Sequence, residues 1–211
     1  MKNIVVLISG GGTNLQSIID GCKNGTIHGR ITGVISSSRH AYGLTRAKNA
    51  GIETKVISKY KYPIDADREA ALLDALNEFQ ADIIVLAGYL SILPKEIIAA
   101  YRNRIVNIHP SLIPSFCGDG FYGLHVHEKV LEYGAKVSGA TVHFVDEGTD
   151  TGPIILQKSV PVMDDDTPEA LQQRVLVVEH ELLPRAVELL CTDCIKVDGR
   201  KVILKEEGEG K

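Results

Sequence analysis

Ile4-Val5-Val6-Leu7-Ile8-Ser9-Gly10-Gly11-Gly12-Thr13-Asn14-Leu15, at the head of a 211-residue chain, decides the fold. Five apolar residues without a polar break read as a strand buried on both faces, the pattern of a parallel sheet covered by helices. Three glycines end the run, after which Leu15, Ile18, Ile19 and Cys22 recur at helical spacing. Strand, glycine loop and helix open a βαβ unit. Glycines let the backbone approach a ligand closely, and the N–H groups of the helix's first turn favour an anion, with phosphate the natural guest. A plain βα turn with Thr13 or Asn14 as N-cap accounts for the same residues without a ligand. The dinucleotide fingerprint fits poorly. Gly10 and Gly12 match its first two glycines, but Leu15 occupies the third, and Ser36-Ser37-Ser38-Arg39 stands where an acidic residue should follow the second strand. Arg39 suits the extra phosphate of NADP, which keeps a nucleotide-dependent oxidoreductase as a rival class.

Outward from this unit the alternation continues. Ile31 to Ile35 precedes a helical pattern through Leu44 and Ala47 that ends at Gly51, and Thr54 to Ile57 gives a third strand. From Ala66 to Phe79 a helix is expected with Ala70, Leu73, Leu76 and Phe79 on its buried face and Arg68 near its start. Ile83 to Ala87 is a buried strand leading into Gly88-Tyr89-Leu90-Ser91-Ile92-Leu93-Pro94, an apolar loop suited to cap the core or to wall a pocket for a flat aromatic ligand. A short helix to Tyr101 and a strand from Ile105 to His109 follow. Ser138 to Val145 alternates, with Ala140, Val142 and Phe144 on one face and Thr141, His143 and Val145 on the other. Thr167-Pro168-Glu169 starts a helix that Pro184 should kink or break. Ile195 to Val197 and Lys201 to Leu204 make a terminal hairpin, and 206–211 a flexible, solvated tail. These elements predict a single-domain α/β protein with a mostly parallel, Rossmann-like sheet, helices on both faces and a C-terminal hairpin.

A net charge of −4 without a long Lys/Arg run argues against nucleic acid as principal partner. The apolar run from Ile4 to Ile8 is too short for a signal-peptide core or a membrane span, so a soluble cytoplasmic protein is expected. Four cysteines in a chain of this length do not form a disulfide framework. Cys191-Thr-Asp-Cys194 has CxxC spacing, but no second pair accompanies it.

The chemistry is expected at Asn107-Ile108-His109-Pro110-Ser111-Leu112. Asn107 and His109 are two apart, so on a strand they share one face while Val106 and Ile108 pack on the other. Pro110 ends the strand and leaves His109 at the sheet's carboxyl edge, where open α/β sheets keep their ligands. The run Asp146-Glu147-Gly148-Thr149-Asp150 is an acidic glycine loop whose Asp150 is the candidate partner of His109. SFCGDGFYGL, residues 115–124, reads as a mobile, lid-like segment. His125 and His127 have metal-like spacing without a third ligand nearby in sequence, so no metal is expected.

SGGGTNLQ at 9–16, LAGYLSILP at 86–94, NIHPSLIP at 107–114, GATVHFVDEGTDTGPIILQ at 139–157 and VEHELLP at 178–184 together resemble the phosphoribosylglycinamide formyltransferases of the folate-dependent formyltransferase family. The resemblance spans nearly the whole chain. It departs from the common pattern at Cys117 to Tyr122, where many relatives carry a shorter proline-glycine stretch. It implies formyl transfer from 10-formyltetrahydrofolate, as cosubstrate, to the amine of glycinamide ribonucleotide in purine biosynthesis, without a metal, by a monomer or homodimer that has no nucleic-acid or membrane partner. Asn107, His109 and Asp150 would then be catalytic. Gly12, Thr13, Asn14 and Glu179 would hold the ribonucleotide. Arg68, Leu90, Ser91, Ile92, Leu93, Asn107 and the loop Asp146, Glu147, Gly148, Thr149, Asp150 would form the folate pocket. Residues 1–106 become a phosphate-binding part and 107–205 a catalytic and folate-binding part of one domain. A formyltetrahydrofolate hydrolase is the nearer rival, a methionyl-tRNA formyltransferase the farther one, since neither length nor charge suits tRNA.

Overall fold

The computed structural model describes residues 1–205; the tail expected over 206–211 lies outside them. Strands β1 (Lys2–Ile8), β2 (Gly29–Ser36), β3 (Thr54–Val56), β4 (Ile83–Leu86), β5 (Ile105–His109), β6 (Val137–Phe144) and β7 (Ile154–Pro161) form one sheet in the order β3-β2-β1-β4-β5-β6-β7. Pairing is parallel from β3 through β5, and β6 and β7 add antiparallel at one side. The hairpin β8 (Ile195–Asp198) and β9 (Lys201–Leu204) stands as a separate two-stranded sheet.

The apolar run of β1 serves both faces. Ile4, Val6 and Ile8 enter a core with α1 (Thr13–Asn24), α2 (Gly43–Asn49), α5 (Leu124–Tyr133) and α6 (Pro168–Cys191), while Val5 and Leu7 enter a second core with α3 (Asp65–Glu78) and α4 (Lys95–Ala100). A strand covered on both sides has no solvent face to encode, hence no polar alternation.

Three local expectations need correction. On α3 the buried stripe is Leu72, Ala75 and Leu76, continued by Phe79, while Ala70 is exposed; the weakly amphipathic sequence left the phase of the stripe undetermined by one residue. α6 runs from Pro168 to Cys191 without a break at Pro184. Leu182, Leu183, Ala186 and Val187 on either side of that proline are all buried, so tertiary packing outweighs the lost N–H. Thr167 does cap this helix, accepting from the Ala170 N–H at 3.2 Å, with Pro168 at its first position. At α1 neither Thr13 nor Asn14 is the cap. Gly12 holds that position in the left-handed region at φ 71°, and no side chain caps the helix.

Between β1 and β4 the strand order reverses direction, and the loops leaving their carboxyl ends diverge there. Such a switch point is the ligand crevice of open α/β sheets. Here its walls are the glycine loop after β1 and the segment Gly88 to Leu93 after β4. The two are joined by Ser9, whose hydroxyl accepts from the Leu90 N–H at 2.9 Å.

Candidate active site

β5 places Asn107 and His109 on one face, and Val106 and Ile108 pack into the core on the other. β6 pairs antiparallel with β5 in a register that sets Asn107 opposite His143 and His109 opposite Thr141. Directly opposed residues of an antiparallel pair share a face, so His143 joins the two polar residues. The loop after β6 then returns Asp150 to the same spot, in the left-handed backbone region at φ 56°. Asp tolerates that region better than most side chains.

One oxygen of Asp150 accepts from the Gly118 N–H at 3.0 Å and lies 3.4 Å from His109 Nδ1. The other lies 3.5 Å from Asn107 Nδ2 and 3.6 Å from His143 Nε2. His143 Nδ1 is 2.8 Å from the Phe144 carbonyl, which only accepts, so the proton sits on Nδ1 and Nε2 is free to accept from Asn107 Nδ2 at 3.1 Å. That contact fixes the direction of the Asn107 amide. Its second hydrogen has only the long approach to Asp150.

His109 is 4% exposed, and its Nε2 must donate to the Phe116 carbonyl, 2.9 Å away. Its Nδ1 therefore faces a carboxylate, an arrangement that is satisfied only when Nδ1 also carries a proton. Burial works against that charge and holds the pKa below the ordinary histidine value. Asp150 and the Phe116 carbonyl push upward, and His143 adds to the lowering. Asp150 pulls upward, but desolvation exceeds it. Burial likewise opposes ionisation of Asp150, yet His143, His109 and the Gly118 N–H together keep its carboxyl below the usual range.

Segment 115–124, expected as a lid, contributes backbone to this cluster through the Phe116 carbonyl and the Gly118 N–H. Thr149 is tied to it through Asp119 at 2.8 Å. Within the acidic loop Asp146 accepts from Gly148 N–H and Thr151 Oγ1, while Glu147 is exposed.

Across the crevice Asn14 Nδ2 donates to Glu179 Oε2 at 2.6 Å, joining the start of α1 to α6. Burial raises the Glu179 pKa, and the Asn14 hydrogen bond opposes the rise. Asn14 Oδ1 is buried and lacks a hydrogen-bond partner among the described residues. Gly12 is glycine for a packing reason as well as for its φ, because a Cβ there would sit 2.6 Å from Gly43 Cα. Arg46, unremarked in the sequence, donates from Nε to the Gly11 carbonyl and from Nη1 to Gln16, which brings a cation to the loop. Arg68 pairs with Asp65 and donates to the Tyr62 carbonyl at 3.1 Å, and its charge is felt by Tyr89. Leu90 and Ile92 are exposed, at 65% and 94%, with Leu93 buried beneath them. An apolar wall open to solvent beside a polar cluster is what a flat aromatic ring requires.

His127 is 1% exposed on α5, its Nδ1 has no partner among the described residues, and burial, followed by the charge of His109, depresses its pKa to about 4. The four cysteines are free. Among the described residues no cluster of three or more His, Cys, Asp or Glu is arranged to hold a metal, and no helix is long and apolar enough to cross a membrane.

An amide, an imidazole and a carboxylate at the same carboxyl edge of the sheet as a glycine loop can stabilise an oxyanion and move a proton, while the loop is suited to an anion. Known proteins with this architecture bear on which reaction that is. The chain is 42% identical over 208 residues to the chloroplastic phosphoribosylglycinamide formyltransferase of Vigna unguiculata, covering 98% of this chain and 67% of that protein. It is 38% identical to the Escherichia coli (strain K12) phosphoribosylglycinamide formyltransferase, covering 92% of this chain and 90% of that protein. The crystal structure of glycinamide ribonucleotide transformylase 1 from Symbiobacterium toebii superposes with a TM-score of 0.92 at 45% identity, over 98% of this chain and 95% of that one. The profile of the formyl transferase family matches residues 2–187, from β1 through most of α6 and across every residue of the cluster just described. The chain belongs to the formyl transferase family.

Proposed function

We propose that the protein transfers the formyl group of 10-formyltetrahydrofolate to the amine of glycinamide ribonucleotide, in the cytoplasm and as a monomer or homodimer. The observation that carries this reading is the convergence of Asn107, His109 and Asp150 on one spot, at the same carboxyl edge of the sheet as the N-terminus of α1, which has no side-chain cap among the described residues.

In this reading residues 1–106 hold the ribonucleotide phosphate, with Gly12, Thr13 and Asn14 offering backbone N–H groups and Arg46 adding charge. Glu179 and the unpartnered Asn14 Oδ1 face the same substrate, and both accept from hydroxyl or amine donors. Arg68, Leu90 to Leu93 and Asp146 to Asp150 hold the folate, and residues 107–205 supply the catalytic set. The neutral amine attacks the formyl carbon, and the carbonyl oxygen takes the electron pair. Asn107 donates its second amide hydrogen to that oxygen. His109, neutral at rest, takes up a proton from solvent as negative charge develops beside it and releases it when the carbonyl re-forms, and Asp150 stabilises the transient imidazolium. The proton lost by the amine passes through Asp150 and ordered solvent to the folate nitrogen as the C–N bond to the cosubstrate breaks. No metal enters the scheme.

Incubation with both substrates, followed by folate deformylation with and without the ribonucleotide, tests the reading. Turnover that requires the ribonucleotide and yields its formylated product is expected. Equal turnover without it would make the protein a formyltetrahydrofolate hydrolase instead.

A further inference from the structure

Residues 115–124 and the loop from Asp146 to Asp150 lie apart in the chain, yet two consecutive residues of each meet two of the other. The Gly118 N–H donates to Asp150 Oδ2 at 3.0 Å, and Thr149 Oγ1 donates to Asp119 Oδ1 at 2.8 Å. Gly118 and Gly120, on either side of Asp119, hold left-handed backbone at φ 89° and 87°, and a Cβ on either would meet nothing within 4 Å. The turn rather than the packing therefore calls for glycine there, and the turn brings Asp119 to the opposite loop. Asp150 also stands in the left-handed region, a conformation that a residue other than glycine keeps only where its surroundings hold it. Two residues before Gly118, the Phe116 carbonyl accepts from His109 Nε2 at 2.9 Å, so one short stretch of backbone touches both members of the His109–Asp150 pair.

We propose that Asp119 is a positioning residue for formyl transfer, whose hydrogen bond from Thr149 clasps the two loops together and sets Asp150 against His109 and Asn107, an inference that rests on the reaction proposed above. A single contact from the Gly118 N–H fixes one carboxylate oxygen but leaves the group free to pivot about it. A second tie, one residue removed on both loops, takes that freedom away. Asp119 acts here as an acceptor and not as a charge, and it takes no part in the proton transfer. Asp119 and Thr149 are both exposed, so the bond between them competes with water and its effect is graded rather than all-or-none.

The test follows the His109 imidazole by NMR in the ligand-free protein and measures kcat and KM of formyl transfer. Wild-type protein, Asp119→Ala, Asp119→Asn, Thr149→Val and the double variant Asp119→Ala with Thr149→Val are compared after thermal melts have shown them folded. Asp119→Ala should lower kcat by about 3- to 10-fold, the range of one modest hydrogen bond, and leave KM for the ribonucleotide unchanged. It should also lower the His109 pKa, because Asp150 is no longer held against the ring, while His143 and His127, the other titratable groups that face it, stay in place. Thr149→Val should lower kcat and the His109 pKa as Asp119→Ala does, and the double variant should add nothing to either single one. Asp119→Asn, which keeps an acceptor, should recover most of kcat. An unmoved His109 in Asp119→Ala, or losses that add in the double variant, overturns the clasp and leaves the proposed reaction standing. An Asn variant as impaired as the Ala variant would assign the effect to the charge of Asp119 and overturn the clasp as well. Wild-type protein without ribonucleotide-dependent turnover overturns the reaction, and with it the role of Asp119.

Discussion

His109 concentrates the opposing forces of the site. Hydrogen-bond geometry asks for a protonated Nδ1 against Asp150, and burial asks for a neutral ring, with burial ahead. The imidazole followed by NMR should titrate below the model-peptide histidine value of about 6.5. In Asp150→Asn it should titrate lower still, because the group that pulls it up has gone. The formyl-transfer rate should fall by about 10²- to 10⁴-fold in that variant if general acid-base assistance is lost. An unchanged His109 pKa in Asp150→Asn would remove the electrostatic role of Asp150 and leave it the handling of the proton-relay water. The glycine loop divides just as sharply at the residue scale. Gly12→Ala forces a left-handed alanine onto Gly43 and should lower stability by more than about 1 kcal/mol in a denaturant melt. A Cβ on Gly11 meets nothing within 4 Å. Gly11→Val should therefore keep the melting temperature and raise KM for the ribonucleotide, which makes it the cleaner probe of the proposed phosphate site.

At the scale of elements, the strand pair β5–β6 builds the polar face of the candidate site, and Thr141 pins the turn that follows β5. The Thr141 hydroxyl donates to the Ser111 carbonyl at 2.7 Å and accepts from the Ile113 N–H at 3.1 Å and Gln157 Nε2 at 2.9 Å, all within a side chain that is 0% exposed. Thr141→Val keeps the shape and strands buried backbone partners, so chemical denaturation should show a loss of about 2–4 kcal/mol. Activity should drop as well, since His109 opens that turn. The grouping of Asn107, His109 and Asp150 was legible from spacing and residue type together with the family resemblance. His143 was visible as the polar member of an alternating strand, but its membership in the site depends on which strand lies beside β5 and in what register, and no local pattern encodes that. Phe116 and Gly118 act through backbone atoms, so their side chains carry no signal of the role. Pro184 misled for the complementary reason, since a local rule yielded to packing along the whole of α6.

For the molecule as a whole, the fold was legible because strands buried on both faces leave unbroken apolar runs, and the helices between them repeat at 3.6 residues. What the fold encloses also sets its response to pH. His127 is buried, its Nδ1 has no partner among the described residues, and its pKa is pushed down to about 4, well below an unfolded histidine. Between about 6.5 and that value the unfolded chain binds a proton that the folded chain refuses, so stability rises with pH across this window and is lost on acidification. The full effect of that one group is about 3 kcal/mol. His109, also lowered, acts in the same direction. Glu179 acts in the opposite one. Its raised pKa means that the folded state keeps a proton the unfolded state releases, so its contribution is greatest below the ordinary glutamate range and fades as pH rises through the folded value. Denaturant unfolding measured from pH 4 to 8 should therefore show a steep acid limb that is shallower in His127→Leu, and Glu179→Gln should gain relative to wild type as the pH increases. If His127→Leu leaves the slope between pH 4 and 6.5 untouched, the imidazole is being charged in the folded state, and α5 must open to water more readily than its packing against the core implies.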